Sequence, residues 1–429
     1  MTLRGLARSA ASWAGTLGPG LITGAADDDP SGISTYSIAG ASAGYSMLWV
    51  ALITTPMMAV LNGVCARIGV VTGGGLMRAL VRSMARPFVL ALAVTIAVAN
   101  TFNIGADVAG MGAAAGLVVG LPQWAWIPLF TAVIIVVEVF YSYREFARIV
   151  KWLCLALLAY VVTAFVVHPP WLLVIASTLI PRISWNSAWL TTLMGVLGTT
   201  ITPYLFFWQC SMEVEETEDR TARRRSPRTG VKPSDIRAVH DDVNTGAIYS
   251  NVIMFFIIVT SAASLGAHGI TNIGTAEDAA RALRPLAGNF AALLFSLGIV
   301  GTGLLAVPVL AGSSAYMIAE LYGMPEGLNQ KPLRARGFYG IIVVGMIAGM
   351  IMALLRVDPI RALFWSAVLN GVAVVPLLYA IIRIARDPRI LGQWTSSRLA
   401  MGWMWLTFVL MCAAVIAMAV SWLPMGIIR

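Results

Sequence analysis

The chain has 429 residues, of which 59% are hydrophobic and 11% are charged, and its formal net charge is +9. Soluble globular domains carry about 25% charged residues and about 45–50% apolar ones. The composition therefore excludes a cytosolic enzyme, a nucleic-acid-binding domain and a disordered regulator. Because the apolar residues form long runs and do not alternate, the sequence predicts an all-α, polytopic membrane protein rather than a β-barrel.

Apolar stretches of about 20 residues, the length that crosses a bilayer as a helix, occur eleven times along the chain. The predicted spans cover residues 18–42, 46–69, 87–120, 125–143, 149–168, 191–213, 243–266, 288–318, 338–355, 360–383 and 403–422. A shorter apolar stretch at 171–180 is flanked by prolines, and we expect it to lie at the membrane interface. The four cysteines lie in apolar segments without C-x-x-C spacing, so we interpret them as packing residues.

The basic residues predict the orientation of these spans. With a cytoplasmic N-terminus, 23 of the 29 Lys and Arg residues fall on the cytoplasmic side and 6 on the outside. This asymmetry agrees with the excess of basic residues in cytoplasmic loops, and it explains the net positive charge without a nucleic-acid partner. We therefore expect a multi-pass protein of the plasma membrane, with an external C-terminus, the lipid bilayer as its environment and no obligate protein partner.

The first predicted span carries three consecutive acids, Asp27, Asp28 and Asp29, followed by Pro30. A charged residue at the bilayer centre costs roughly 2.5–3.5 kcal/mol on insertion scales. Pro30 removes a backbone donor and disfavours helix at the residue before it. We therefore predict two half-helices joined by an unwound stretch, which survives at membrane depth only where it lines a cavity or a bound ion. The alternative is a short helix with its acids at the outer surface.

The sixth predicted span contains the stretch Gly198-Thr-Thr-Ile-Thr-Pro203, in which β-branched residues precede a proline. We expect a second break there. Two interrupted spans at corresponding positions, five spans apart, indicate an inverted-repeat secondary transporter with its substrate site between the breaks. The predicted fold is a LeuT-like arrangement of five plus five spans with one additional span.

This interpretation divides the chain into five parts. They are a cytoplasmic N-terminus at 1–17, a first five-span repeat at 18–168, an extracellular connection at 169–190, a second, inverted repeat at 191–383, and a linker with the eleventh span at 384–429. The long hydrophilic segment 213–242 is predicted to be a flexible cytoplasmic loop between spans six and seven.

The residues at the breaks favour a hard cation. Unwound carbonyls and half-helix C-termini bind cations, and the carboxylate of Asp29, the principal predicted ligand, adds negative charge. The unwound parts contain no His, Cys or Met, and oxygen ligands suit Mg²⁺, Ca²⁺ or Mn²⁺. Small residues at Ser31, Gly32, Thr199 and Thr202 leave room for the water that Mg²⁺ retains.

Three further acids are candidates for the site or its pathway. Asp28 points away from Asp29 by about 100° on any residual helix, so it lines the path to the site or binds the ion through water. Asp107 in span three is a transport residue or a structural hydrogen-bonded acid, since acids inside spans are functional by default. Glu138 in span four either belongs to the pathway or pairs with Arg144 or Arg148.

The chain resembles the NRAMP family of divalent-metal transporters over essentially its whole length. The resemblance rests on Gly18-Pro-Gly20, Asp29-Pro30, Gly44-Tyr45, Leu48-Trp49 and Ala66-Arg67-Ile-Gly69-Val-Val-Thr72-Gly73 in the first two spans. In the sixth span, Gly198-Thr-Thr-Ile-Thr-Pro203 is similar to the family's G-A-T-x-M-P motif. The resemblance implies a transporter of divalent metal ions, with Asn370 at the position of a polar site residue.

The chain departs from the family pattern at several site positions. The family's D-P-G-N motif reads Asp29-Pro30-Ser31-Gly32 here, so Gly32 replaces the Asn ligand. The metal-binding Met falls on Thr202, the Ala that contributes a carbonyl falls on Thr199, and the two sixth-span histidines fall on Tyr204 and Gln209. In span three the D-L-A-E pattern keeps Asp107 and has Gly110 in place of the Glu.

These departures resemble the divergent NRAMP-related magnesium transporter branch. The resemblance implies a larger site for a partly hydrated Mg²⁺, or Mn²⁺, and no proton coupling. The alternatives are a conventional H⁺-coupled Mn²⁺/Fe²⁺ importer that uses Asp107, and a sodium-coupled organic-solute symporter built on the same inverted repeat. No Ser/His/Asp set or phosphate-binding loop occurs in the sequence, so we expect no enzyme activity and no cofactor besides the transported ion.

Overall fold

The computed structural model describes residues 18–140, 155–224, 230–355 and 358–422, and helices joined by short turns make up this part of the chain. No strand occurs in these four ranges, which confirms the predicted all-α fold class. Arg144 and Arg148, the expected partners of Glu138, lie outside the described residues.

The helices of the first half are numbered in chain order. They are α1 (Pro19–Asp27), α2 (Pro30–Ala43), α3 (Leu48–Thr72), α4 (Leu76–Ser83), α5 (Arg86–Val119), α6 (Gln123–Phe140), α7 (Leu158–Val166) and α8 (Trp171–Leu179). A 3-10 turn at Gly44–Met47 joins α2 to α3, and another at Leu155–Leu157 precedes α7. Helix α8 coincides with the short apolar stretch between the Pro169-Pro170 pair and Pro181.

The second half contains the longer helices. They are α9 (Ser187–Thr200), α10 (Pro203–Arg224), α11 (Pro233–Ser264), α12 (Ala276–Ala280), α13 (Arg284–Ala287), α14 (Ala291–Tyr322), α15 (Arg336–Leu354), α16 (Pro359–Ala385), α17 (Pro388–Leu391) and α18 (Arg398–Ser421). Helices α5, α11 and α14 each exceed 30 residues, which is more than a bilayer requires.

Nine segments of the described chain are long and apolar enough to cross a membrane. One of them, Pro30–Thr72, contains both α2 and α3. The predicted fifth span, 149–168, is described only from residue 155 onward. The number of eleven spans, and the division of the chain into parts that follows from it, therefore stay predictions.

Both predicted helix breaks are confirmed. Helix α1 ends at Asp27 and α2 begins at Pro30. Proline lacks a backbone N–H, but at the first position of a helix this removes no intrahelical hydrogen bond. Helix α9 ends at Thr200 and α10 begins at Pro203. The residues between the half-helices are buried, so this unwound backbone lies inside the bundle, as an interrupted membrane helix requires.

The hydrophilic segment 213–242 is not the flexible loop predicted from its composition. Helix α10 continues to Arg224 and α11 begins at Pro233, so helix covers most of the segment, and 225–229 lie outside the described residues. Tertiary contacts hold the extension of α10, because Tyr316 on α14 donates a hydrogen bond to Glu215. Composition alone could not reveal a partner 101 residues away.

Glycines bring α1 into close contact with α11. A methyl group added at Gly24 would lie 2.3 Å from the carbonyl oxygen of Gly246. Likewise, a methyl group added at Gly246 would lie 2.1 Å from the carbonyl oxygen of Gly20. Asp242 on α11 also caps α1, since it accepts from the N–H groups of Gly18 at 3.0 Å and Gly20 at 2.6 Å. The two helices therefore pack backbone to backbone, as small residues allow in membranes.

The cysteines agree with a packing role. Cys65 on α3 and Cys210 on α10 are buried free thiols, and Cys412 on α18 is a partly exposed one. Cys154 lies outside the described residues. Buried free cysteines of this kind behave as small hydrophobic side chains.

Candidate functional site

The carboxylate of Asp29 is the centre of the first break. Asp29 is the N-cap of α2, and its Oδ1 accepts hydrogen bonds from the Gly32 N–H and the Ser31 hydroxyl, each at 2.7 Å. Its Oδ2 lies 3.3 Å from the hydroxyl of Tyr204, which donates to it. Only 1% of the residue is exposed. Three donors thus orient a buried carboxylate, as a metal ligand requires.

Tyr204 connects the two breaks. It is the second residue of α10, and its hydroxyl lies 3.2 Å from the carbonyl oxygen of Ala26, in addition to its contact with Asp29. The sequence identified Tyr204 only as a departure from a family histidine. Its contact with Asp29 joins residues 175 positions apart, and no local pattern predicts such a contact.

The backbone leaves little room at Gly32. A methyl group there would lie 3.2 Å from the carbonyl oxygen of Asp27 and 3.3 Å from Thr199 Oγ1. The Ser31 hydroxyl lies 3.4 Å from the same Thr199 atom. The structure therefore brings Asp29, Gly32 and Thr199 together, as the sequence predicts, and the Asn of the family pattern would require the surrounding atoms to shift.

Several buried oxygen atoms around the breaks have no hydrogen-bond partner among the described residues. They are Thr202 Oγ1, Asp27 Oδ1, Asp28 Oδ2 and both carboxylate oxygens of Asp107. Asp107 on α5 lies near Asp29 and the backbone of Ser31. Because buried polar atoms in native proteins nearly always have a partner, we expect these atoms to bind water or an ion.

Asp27 and Asp28 turn toward α11 rather than toward Asp29. The Ser250 hydroxyl lies 2.6 Å from Asp27 Oδ2 and 3.3 Å from Asp28 Oδ1. Within the described ranges, no three His, Cys, Asp or Glu side chains converge at metal-ligating distance. The break therefore presents the carboxylate of Asp29 beside hydroxyl and carbonyl oxygens, without a cluster of three acids among the described residues.

Two residues of α5 form a polar stripe with Asp107 that the sequence analysis did not single out. Asn100, Asn103 and Asp107 recur at spacings of three and four residues, so they share one helix face, and all are buried. Asn100 donates to the hydroxyls of Ser313 at 3.2 Å and Ser314 at 2.8 Å on α14. The helical spacing of polar residues within an apolar span is the signal that identifies them.

Glu138 and Asn370 lie at different helix contacts. Glu138 on α6 lies beside Gly312 on α14, since a methyl group added at Gly312 would be 3.4 Å from Glu138 Oε1. Neither carboxylate oxygen of Glu138 has a hydrogen-bond partner in the described residues. Asn370 on α16 is next to Gly371, which packs closely against Gly198 on α9. A methyl group added at Gly198 would lie only 2.6 Å from the backbone nitrogen of Gly371. Asn370 is therefore beside the half-helix of the second break, whereas Glu138 is not part of the break contacts.

A thioether approaches the second break from α11. Thr200 Oγ1, at the end of α9, lies 3.5 Å from Met254 Sδ and 3.2 Å from the hydroxyl of Tyr36. The unwound residues themselves carry only oxygen donors. Sequence analysis did not select Met254, because it lies in the apolar part of α11 among other hydrophobic residues.

Gln209 links the two half-helices on the other side of the breaks. Its Oε1 accepts from the Thr23 hydroxyl on α1 at 2.5 Å, and its Nε2 donates to Glu213 Oε1 at 2.9 Å. Gln209 occupies the position of the second family histidine. The amide of Gln209 does not titrate, unlike an imidazole. The hydrogen bond from Thr23 on α1 to Gln209 on α10 therefore needs no change in the protonation of residue 209.

Comparisons with known proteins agree with the fold and the breaks. A sequence profile described as natural resistance-associated macrophage protein-like (Nramp) matches residues 20–421. The divalent metal cation transporter MntH of Verminephrobacter eiseniae is 26% identical over 381 residues, which cover 85% of this chain and 83% of the relative. The protein of the same name from Klebsiella pneumoniae is 24% identical over 418 residues, or 96% and 94% of the two chains.

Solved structures show the same fold. A mutant of the manganese transporter of Eremococcus coleocola has a TM-score of 0.73 at 17% identity, covering 95% of this chain and 87% of that chain. Mhp1, a nucleobase-cation-symport-1 family transporter, in its closed conformation has a TM-score of 0.56 at 14% identity, with 94% and 93% covered. At these identities the likeness concerns the fold alone. The profile match over nearly the whole length shows that this chain belongs to the Nramp family of membrane transporters and is not an enzyme.

Proposed function

We propose that this chain carries divalent metal cations across the membrane, with Mg²⁺ as the preferred substrate and Mn²⁺ as a second. Relatives named divalent metal cation transporters support the substrate class. The preference for a hard ion rests on one observation: the hydroxyls of Ser31 and Tyr204 and the N–H of Gly32 hold the buried carboxylate of Asp29, and none of these hydrogen-bond partners is a sulfur or an imidazole. Carboxylate, hydroxyl and carbonyl oxygens suit Mg²⁺ and Mn²⁺ rather than soft metals.

Asp29 is the principal ligand in this proposal. Burial of an unpaired carboxylate costs several kcal/mol, and a bound divalent cation compensates that cost. Thr199 and Thr202 supply hydroxyl or carbonyl oxygens from the second break, and Asp28 acts through water. Gly32 has no side chain, so its backbone approaches Thr199 and the carbonyl oxygen of Asp27 closely.

The half-helices provide the moving parts. No continuous ladder of backbone hydrogen bonds crosses either break, so the angle between half-helices can change while the long helices stay intact. Asp107, Asn370 and Glu138 then line the path of the ion or of its water on either side of Asp29. Transport proceeds by alternating access of this site to the two sides of the membrane.

Proton coupling is absent in this proposal. Tyr204 and Gln209 replace the two histidines of the family pattern, and neither side chain changes protonation near neutral pH. The competing function is an H⁺-coupled Mn²⁺/Fe²⁺ importer, favoured by the unpartnered carboxylate of Asp107 beside Asp29. A sodium-coupled organic-solute symporter is the third candidate, and it rests on the fold shared with Mhp1.

Purified protein in liposomes separates the three functions. One set of vesicles encloses a Mg²⁺-sensitive dye, and a second set encloses a pH-sensitive dye. An inside-negative membrane potential drives cations inward with about 2.3 kcal/mol per charge per 100 mV. We expect Mg²⁺ influx without acidification. Acidification that accompanies metal uptake would establish the H⁺-coupled importer, and sodium-dependent accumulation of an organic solute would establish the symporter.

The same proposal includes the placement of the chain in the plasma membrane. The N-terminus and the helical extensions within 213–242 face the cytoplasm, residues 169–190 form the extracellular connection, and the C-terminus is external. The excess of basic residues on the cytoplasmic side supports this placement.

A further inference from the structure

An apolar groove of about 740 Å³ lies between α5, α14 and α15, apart from the breaks. Its walls include Ala97, Thr101, Ser314, Gly340, Gly345 and Ala348. Val344, another wall residue, is 67% exposed, so the groove opens outward from the bundle, where the protein meets lipid.

The groove has the length of one membrane leaflet. The wall residues on α15 run from Gly337 to Ala348, a distance of about 16 Å along a helix. Half the hydrocarbon thickness of a bilayer is about 15 Å. The volume also lies in the range of sites that enclose most of a small molecule. An acyl chain that enters from one leaflet would therefore fit along its length.

Basic side chains lie at one end of the groove. Lys331, Arg334 and Arg336 are exposed, and Arg336 directly precedes Gly337 of the wall. No carboxylate pairs with any of the three in the part of the chain that the structure describes. Leu333, between them, is 76% exposed, which is typical of a segment at the membrane surface. Within the described residues, this positive charge therefore has no carboxylate partner.

We propose that this groove binds one phospholipid with an anionic headgroup, whose acyl chain lies between α5 and α15 and whose phosphate group contacts Arg334 and Arg336. The predicted orientation places this end in the cytoplasmic leaflet, which carries the anionic lipids. Basic pockets between membrane helices on that side bind such headgroups. The site is independent of the metal site and of the metal that is transported.

Two glycines allow the groove to be filled without disturbing the helices. A Cβ atom added at Gly340 or Gly345 would meet no atom within 4 Å, so Gly340→Leu and Gly345→Leu should fold and place a branched side chain in the groove. Gly402 on α18 also faces open space, so Gly402→Leu is a matched control outside the groove.

The test measures lipid that stays bound to the purified protein. Protein is extracted from vesicles of equal parts phosphatidylglycerol and phosphatidylcholine, and native mass spectrometry counts the retained lipids. We expect one phosphatidylglycerol on the wild-type chain, and none on the double variant Gly340→Leu/Gly345→Leu. The double variant Arg334→Gln/Arg336→Gln should lose about thirtyfold in affinity for phosphatidylglycerol. The loss for phosphatidylcholine should be smaller, because its choline group offsets the charge of its phosphate.

The controls decide the interpretation. Gly402→Leu and Arg398→Gln, an exposed basic residue at the start of α18, should retain the lipid like the wild type. Equal retention of the two lipids by the wild type, or retention that is unchanged in the arginine variant, would overturn the proposal. If the leucine variant is not monodisperse, the arginine variant still decides, because it changes only exposed side chains.

Discussion

Asp29 and Asp358 have the same local chemistry in different surroundings. Each is an N-cap followed by proline. The carboxylate of Asp29 accepts from one backbone N–H of the first turn, and that of Asp358 accepts from two. Asp29 is 1% exposed, whereas the side chain of Asp358 is 36% exposed. The sequence around the two residues is equally compatible with a cap, so the burial of Asp29 is the observation on which its proposed role as a ligand rests.

We predict that Asp29→Asn abolishes metal uptake and leaves the fold intact. Asn caps a helix about as well as Asp, so the variant loses the negative charge and keeps the turn. Uptake of Mg²⁺ into liposomes and size-exclusion chromatography measure the two properties. Asp358→Asn is the matched control and should transport normally. Wild-type uptake by Asp29→Asn would exclude this carboxylate as the principal ligand.

Thr202 is the residue that we expect to set the preference for hard ions. Thr202→Met introduces a thioether at the second break, and soft ligands favour softer metals. Calorimetric titration should show that the affinity for Mn²⁺ and Cd²⁺ rises relative to that for Mg²⁺. Leu197→Met on α9 adds the same thioether by a volume-conserving change and should leave the ratio unchanged. An unaltered ratio in Thr202→Met would remove the basis for the hard-ion preference.

The residues of the site were predictable to different degrees. Asp29, Gly32 and Thr199 were accessible from sequence because a proline and small residues mark each break locally. Ser250 was not, since a serine in an apolar helix gives no signal of its own. Its role depends on how α1 packs against α11.

At the scale of elements, the contact between α1 and α11 depends on the absence of side chains. We predict that Gly24→Ala destabilises the protein by about 1–3 kcal/mol, the usual cost of overpacking, because the added methyl group would lie 2.3 Å from a backbone oxygen. Thermal unfolding in detergent measures this as a lower Tm.

Gly402→Ala is the control for that variant. It faces open space on α18, and alanine is a better helix former than glycine by about 1 kcal/mol. Its Tm should be unchanged or slightly higher. If both variants unfold at the wild-type temperature, α1 does not pack on α11 as closely as described.

The turn between α14 and α15 contains an acid whose protonation affects stability. Glu326 pairs with Arg78, yet burial and the neighbouring charge of Glu320 raise the pKa of Glu326 from 4.5 to about 8. The folded state therefore binds this proton more tightly than the unfolded state does. The stability that it contributes is fully present below about pH 4.5 and is lost as the pH rises through about 8.

We predict that Glu326→Gln reduces the fall in Tm between pH 5 and pH 8, because glutamine has no proton to lose. Differential scanning fluorimetry across this range measures the slope for each variant. Glu277→Gln, which removes an exposed acid on α12, should retain the wild-type slope. Identical slopes for Glu326→Gln and the wild type would contradict the raised pKa of Glu326.

The helical extensions within 213–242 show how contacts override composition. The segment is rich in charge, which predicts disorder. Glu215 nevertheless accepts hydrogen bonds from Tyr316 and from the N–H of Leu328, the latter at 2.6 Å. These partners come from α14 and the turn after it, so only the folded chain supplies the interactions that stabilise the end of α10.

For the whole molecule, the distribution of basic residues predicts the orientation in the membrane. We predict that an alkaline phosphatase fused to the C-terminus is active and one fused to residue 230 is inactive, since this enzyme folds only outside the cytoplasm, where disulfides form. A fluorescent protein at the same positions should give the reverse pattern. Activity at residue 230 would contradict the predicted orientation.

The sequence by itself determined the fold class, the two breaks and the family resemblance, because bilayer thickness and proline chemistry act on contiguous residues. Only the tertiary structure decided which oxygen atoms meet at Asp29, which acids turn to Ser250, and where α10 and α11 extend beyond the apolar segments. These features depend on pairs of residues up to 223 positions apart. Such pairs come together through helix packing, which leaves no periodic signal along the chain.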